Sequence, residues 1–202
     1  MERSLATNRS MVSYLVKIGL LSALAFILMF LDFPIPLFPA FLKMDFGDVP
    51  ALIAGFSLGP VAGVFVQLIK NILYFFTKSS TMGVGSLGNF LTGVTLIVPA
   101  ALIYRRMHTR GGALLGVLVG TAVMALFMAV FNYYVLIPLY ITVLGFSMEA
   151  VVGMGTAVNA NITDLRSLVI LGVTPFNIFK GLAVSLVTFL LYKHLSPILR
   201  QK

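Results

Sequence analysis

The chain has 202 residues, 59% of them hydrophobic and only 10% charged, with a mean hydropathy of +1.05 and a formal net charge of +8. Continuously apolar runs long enough to cross a hydrocarbon layer of about 30 Å exclude an ordinary soluble domain and a β-barrel of short alternating segments. The absence of cysteine excludes disulfides and thiol chemistry, and His108 and His194 alone do not make a metal centre.

Residues 1–10 are polar and basic and read as a cytoplasmic tail, with no cleavable leader after them. The first apolar run, Met11 to Leu31, is a spanning helix carrying Gly19 and Ala23 at i, i+4, with Ser22 beside them. Small residues at that spacing let a second helix approach closely. Pro34, Pro36 and Pro39 then forbid regular helix, and the apolar residues between them predict a loop folded back on the bundle. Asp48 with Pro50 is a helix start signal.

From Val49 to Phe76 the sequence is apolar enough for one tilted helix or two short ones broken at Gly59-Pro60. The break is favoured because it puts the N-terminus, the basic loop Arg105–Arg110 and the basic C-terminus (Lys193, Arg200, Lys202) on one side. Clusters of that kind beside apolar runs obey the positive-inside rule; they do not form a nucleic-acid stripe. Lys70 can reach either an internal cavity or a headgroup. Residues 77–86 are predicted as an outside loop; its Gly83-x-Gly85-x-x-Gly88 follows no strand and is not a dinucleotide site.

A fourth helix is expected over Leu87 to Tyr104, with Asn89 near its outer end, and a fifth over Ala113 to Tyr134, ended or kinked at Pro138. Asn132 sits there among Phe131, Tyr133 and Tyr134, which suit an interface belt or a stacking wall for a flat ligand equally. Thr142 to Asp164 form the longest outside segment. The sixth helix, from about Leu165, holds Thr174-Pro175-Phe176-Asn177-Ile178-Phe179-Lys180-Gly181, and Lys180 is its only interior cation. An ammonium at that depth must snorkel, pair or line a watered cavity. Asn177 and Lys180 share one helix face, which fits a polar ligand held inside the bundle. The expected fold is all-α, a single polytopic domain over 1–202 with six transmembrane helices and both termini cytoplasmic.

Several short stretches, in order along nearly the whole chain, resemble one family. They are Phe33-Pro34-Ile35-Pro36, Met44-Asp45-Phe46-x-Asp48-Val49-Pro50, Gly59-Pro60-Val61-Ala62-Gly63, Lys70-Asn71, Gly88-Asn89-Phe90-Leu91, Asn132-Tyr133, Pro138-Leu139-Tyr140 and Pro175-Phe176-Asn177-Ile178-x-Lys180-Gly181. The sequence is similar to the substrate-binding S components of energy-coupling factor (ECF) vitamin transporters, and most of all to the riboflavin-specific members. The resemblance implies a bacterial cell-membrane, multi-pass subunit that takes riboflavin as transported ligand, with no cofactor and no metal. It implies partners too: an EcfT-like transmembrane coupling subunit and two ABC-type ATPase subunits. On that likeness Asn132, Asn177 and Lys180 hydrogen-bond the vitamin, and the segment holding Leu42, Met44 and Asp45 closes over it. Gly85 and Asn89 belong to another wall, and Gly19, Ser22 and Ala23 form the surface that docks on the coupling subunit. Lys43 departs from the small or polar residue usual in the family.

The chain carries no Gly-x-x-x-x-Gly-Lys-Ser/Thr phosphate loop, so an importer built on it draws energy from its partners. The competing functions are an S component for another vitamin or flavin, an autonomous secondary transporter, and an intramembrane enzyme. A secondary transporter needs carboxylates at membrane depth, whereas all six acidic residues map to the tail or to loops. An enzyme is not expected, since no nucleophile–histidine set and no carboxylate pair is visible.

Overall fold

A computed structural model describes the backbone of residues 2–200 and the side chains of 11–192. The chain is almost entirely helical. Helix α1 runs Glu2–Phe30, so the polar N-terminal stretch continues a helix. The side chains of Lys193, His194 and Arg200, and the whole of Lys202, lie outside the described residues. The proline-rich loop folds into a two-residue antiparallel ladder, β1 (Phe33–Pro34) with β2 (Lys43–Met44). Phe38 in this hairpin lies edge-on to Phe176 with ring centres 5.3 Å apart, so the loop rests on the bundle as expected.

The predicted break is present. Helix α2 (Asp48–Leu58) ends at Gly59, whose φ of 107° suits only glycine, and Pro60 then opens α3 (Pro60–Lys78). With 11 residues α2 is roughly 16 Å long, about half a hydrocarbon core. The hairpin therefore dips into the bundle to meet its first residue. Five stretches among the described residues are long and apolar enough to cross a membrane: Met11–Phe30, Pro60–Lys78, Val84–Met107, Arg110–Leu144 and Leu165–Tyr192. The sixth expected crossing falls on α2, which is apolar but too short to be counted with them.

Helix α4 (Val84–Met107) begins before Gly85, three residues earlier than predicted. It packs tightly on α5 (Arg110–Phe131): a Cβ at Gly116 or Gly120 would run into the backbone of Ala100 or Leu96. Pro138 does not end the next stretch. A π-helical segment, Asn132–Leu136, precedes it and leads straight into α6 (Ile137–Leu144). The same device recurs near the C-terminus. Helix α8 (Leu165–Leu168) widens into a π segment, Val169–Val173, just before Pro175 in α9 (Thr174–Arg200). In both places an i to i−5 bond (Ile137 N–H to the carbonyl of Asn132, Thr174 N–H to that of Val169) rearranges the ladder ahead of a residue with no N–H to give. The long outside segment is itself partly helical, as α7 (Met148–Thr156).

The loops 31–47, 79–83 and 145–164 gather at one end of the bundle. At the other end Tyr104 and Tyr192 exchange a hydroxyl contact of 3.2 Å, Phe56 of α2 packs on both rings, and Arg105–Arg110 is exposed.

Candidate ligand cavity and its buried ion-pair floor

Beneath the gathered loops lies a cavity of about 340 Å³. That is within the range of pockets that enclose a small organic molecule. Leu42, Asp45, Gly85, Asn89, Asn132, Asn177 and Lys180 all line it, although they come from the hairpin, α4, the π segment after α5, and α9. Tyr74, Tyr140, Phe146 and Phe176 add aromatic wall. Met44 is the exception among the expected site residues: it is 1% exposed, packs into the hydrophobic core and does not line the cavity. Side chains alternate along a strand, so Lys43 and Met44 in β2 point opposite ways.

Two carboxamides near the π segments, Asn132 at the start of the first and Asn177 in α9 just after the second, behave alike. Asn132 Nδ2 donates to the carbonyl of Met128 at 2.8 Å, and Asn177 Nδ2 to that of Val173 at 2.9 Å. Each is anchored to the carbonyl four residues back in its own helical run, and both line the cavity. Asn89 Nδ2 donates to Asp45 Oδ2 at 3.1 Å, while Asn89 Oδ1 is buried with no partner. An orphaned acceptor at a cavity wall is a place for a ligand's donor.

Of the three options for Lys180, the structure shows it paired and at the cavity wall. Its ammonium is neither at a headgroup nor an isolated charge awaiting a ligand. Lys180 Nζ lies 2.8 Å from Asp45 Oδ2 and 3.3 Å from Asp48 Oδ2. Behind it Lys70 Nζ, fully buried, sits 2.5 Å from Asp48 Oδ1 and 4.0 Å from Asp45 Oδ1, so it reaches neither cavity nor lipid. Gln67 Nε2 donates to Asp48 Oδ1 at 2.7 Å. Any Cβ at Gly93 on α4 would overlap the Gln67 amide, so that glycine makes the room. Asp48 opens α2 but makes no cap bond; its carboxylate is spent on α3 and α9 instead. Two carboxylates and two ammoniums, all at most 3% exposed, thus form a neutral quartet. Placing the acidic residues in the tail and loops did not keep them from the interior, because the short α2 and the inserted hairpin carry Asp45 and Asp48 inside. Sequence reasoning missed Asp48 and Gln67 as parts of the site. The available signal was a set of polar residues in and beside an apolar helix pair (Asp45, Asp48, Gln67, Lys70), whose net charge of −1 is balanced only by the distant Lys180.

A second ionic group sits at the mouth. Asp32 pairs with Lys43 at 3.0 Å and with Lys78, whose ammonium also donates to the carbonyl of Phe30 at 2.6 Å. Burial pushes the Asp32 carboxyl up, but bonds from Lys78 and Lys43 more than offset this and hold it below its ordinary value. Lys43 lines the cavity, Lys78 is held by Asp32, and Arg166 is exposed and does not line it. On α1, Gly19 and Ala23 are exposed with open space beside Gly19, whereas Ser22 turns inward and donates to the carbonyl of Ile18 at 2.7 Å. Three residues on from Gly19, Ser22 falls on the edge of the stripe that faces the bundle.

The sequence matches the family model of the ECF transporter substrate-specific component over residues 13–192. It is 38% identical to the riboflavin transporter RibU of Staphylococcus aureus over 188 residues, covering 93% of this chain and 92% of that protein. It is 35% identical to the riboflavin transporter FmnP of Bacillus subtilis, covering 95% and 96%. A solved structure of the S component of a bacterial ECF transporter superposes with a TM-score of 0.73 at 37% identity, covering 93% of this chain and 98% of that one. The chain belongs to the substrate-specific components of ECF transporters.

Proposed function

We propose that this subunit captures riboflavin in the cavity beneath the gathered loops and delivers it to the cytoplasmic side of the bacterial cell membrane. The observation that carries this reading is the lining. A flat, uncharged ring system with carbonyl, imide and hydroxyl groups needs aromatic and aliphatic walls plus directed donors and acceptors. Tyr74, Tyr140, Phe146 and Phe176 supply the walls. Asn89, Asn132, Asn177, Asp45 and Lys180 supply the polar groups. The neutral quartet suits a neutral ligand, since no net charge is left for the ligand to balance. The names of the relatives support the choice of vitamin.

The loop end is the outer end on this reading, because the exposed Arg105–Arg110 cluster belongs inside by the positive-inside rule. Energy comes from partners, an EcfT-like coupling subunit and two ABC-type ATPases, because the sequence has no phosphate loop. The exposed Gly19–Ala23 stripe of α1 is the docking surface, Ser22 contributing only to the bundle. Buried carboxylates do not make the chain a secondary transporter, since both already bind lysines and neither is free to carry a coupling ion. Protein purified from riboflavin-fed cells should be yellow and carry flavin absorbance. Colourless, folded protein that takes up no riboflavin afterwards rejects the assignment.

A further inference from the structure

Asp48 and Lys70 do not line the cavity, yet both are fully buried at its back. Two charges so placed are costly unless they do something a pair of apolar side chains cannot, since well-packed apolar replacements of buried pairs are often neutral or stabilising. What this pair does is visible in how its atoms are divided. Asp48 gives one carboxylate oxygen to Lys70 and Gln67 and turns the other toward Lys180 at 3.3 Å. Lys70, anchored on Asp48, stays 4.0 Å from Asp45, out of hydrogen-bond range. Asp45 is thereby left to Lys180, Asn89 and the backbone N–H of Gly47.

We propose that Asp48 and Lys70 are positioning residues for the ligand: together they hold the Lys180 ammonium and the Asp45 carboxylate at the cavity surface in the geometry that grips it. Asp48 draws Lys180 from behind, and its hold on Lys70 keeps that second ammonium from competing for Asp45. Gln67, seated in the space left by Gly93, fixes the Asp48 carboxylate in turn. The proposal rests on the riboflavin reading above and adds to it a layer that never touches the vitamin.

The test separates holding the ligand from holding the fold. Asp48→Leu combined with Lys70→Met removes both charges while leaving the Asp45–Lys180 pair neutral. Purified in detergent, the double variant should unfold thermally within a few degrees of the parent, yet bind riboflavin on the order of tenfold more weakly, the scale of losing an outer partner that orients a contacting group. An unchanged dissociation constant in the folded double variant overturns the proposal. If that variant does not purify as a folded monodisperse protein, Lys70→Met and Lys70→Arg decide. Weaker binding by Lys70→Met with binding restored in Lys70→Arg upholds the proposal, and parental binding by Lys70→Met overturns it. Parent protein that fails to quench riboflavin fluorescence defeats the functional reading itself, a result distinct from a parent that binds beside variants that bind equally well.

Discussion

The molecule contains the same chemistry twice, at two depths. At the mouth, Asp32 joins Lys43 and Lys78, whose side chains are 49% and 33% exposed. At the floor, Asp45 and Asp48 join Lys70 and Lys180 with side chains no more than 3% exposed. Water screens the first group, and its lysines give up side-chain freedom to pair, so the net gain is small. The second group has no water to fall back on. Each member there is needed to keep the others from being orphaned. Position, and not residue type, decides what an Asp–Lys pair is worth.

The sharpest way to break this contrast is Asp48→Ala. It leaves Lys70 buried with its nearest remaining carboxylate at 4.0 Å and should cost about 3–5 kcal/mol, seen as a large drop in the thermal unfolding midpoint. A drop no larger than that for a rim lysine would mean the floor is wetter than the geometry indicates. Asn89→Ala removes a hydrogen bond to a buried carboxylate and should cost about 1.5–3 kcal/mol of folding stability, read from the thermal unfolding midpoint. Asn177→Ala, which removes a carboxamide from the cavity wall, should weaken binding by about 1–3 kcal/mol with little effect on unfolding.

Much of the frame was legible because bilayer-length apolar runs and charge parity are strong, one-dimensional signals. The break at Gly59-Pro60, the hairpin resting on the bundle and the polar face of Asn177 and Lys180 all followed from residue type and spacing. Three features did not. The widened turns before Pro138 and Pro175 came from the bundle holding together helices that proline alone would have ended. The partnering of Lys180 depends on Asp45 and Asp48, 135 and 132 residues away in sequence, reaching the same depth through the inserted hairpin and the start of α2. Met44 lies beside a site residue in sequence but on the other side of its strand, a register fixed only when β1 and β2 pair.

Smaller effects belong to the rim. Lys43→Ala should change stability by no more than about 1 kcal/mol, and the change should shrink further at high salt. The pH dependence has a definite sign. Because the folded Asp32 carboxyl titrates below its unfolded value, its contribution is complete above that value, near pH 4, and fades as the pH falls through the lower folded one. The gap in unfolding midpoint between the parent and Asp32→Asn should therefore narrow as the pH falls below the ordinary carboxylate range, about pH 4. A gap that widens contradicts the pairing.

The measurement that bears most directly on the whole account is a riboflavin titration of the purified, folded chain in detergent, followed by flavin fluorescence. Saturable quenching with one vitamin bound per chain, weakened in the Asn177→Ala variant, is the expected result. Full fluorescence at micromolar riboflavin from protein that still unfolds cooperatively would contradict it.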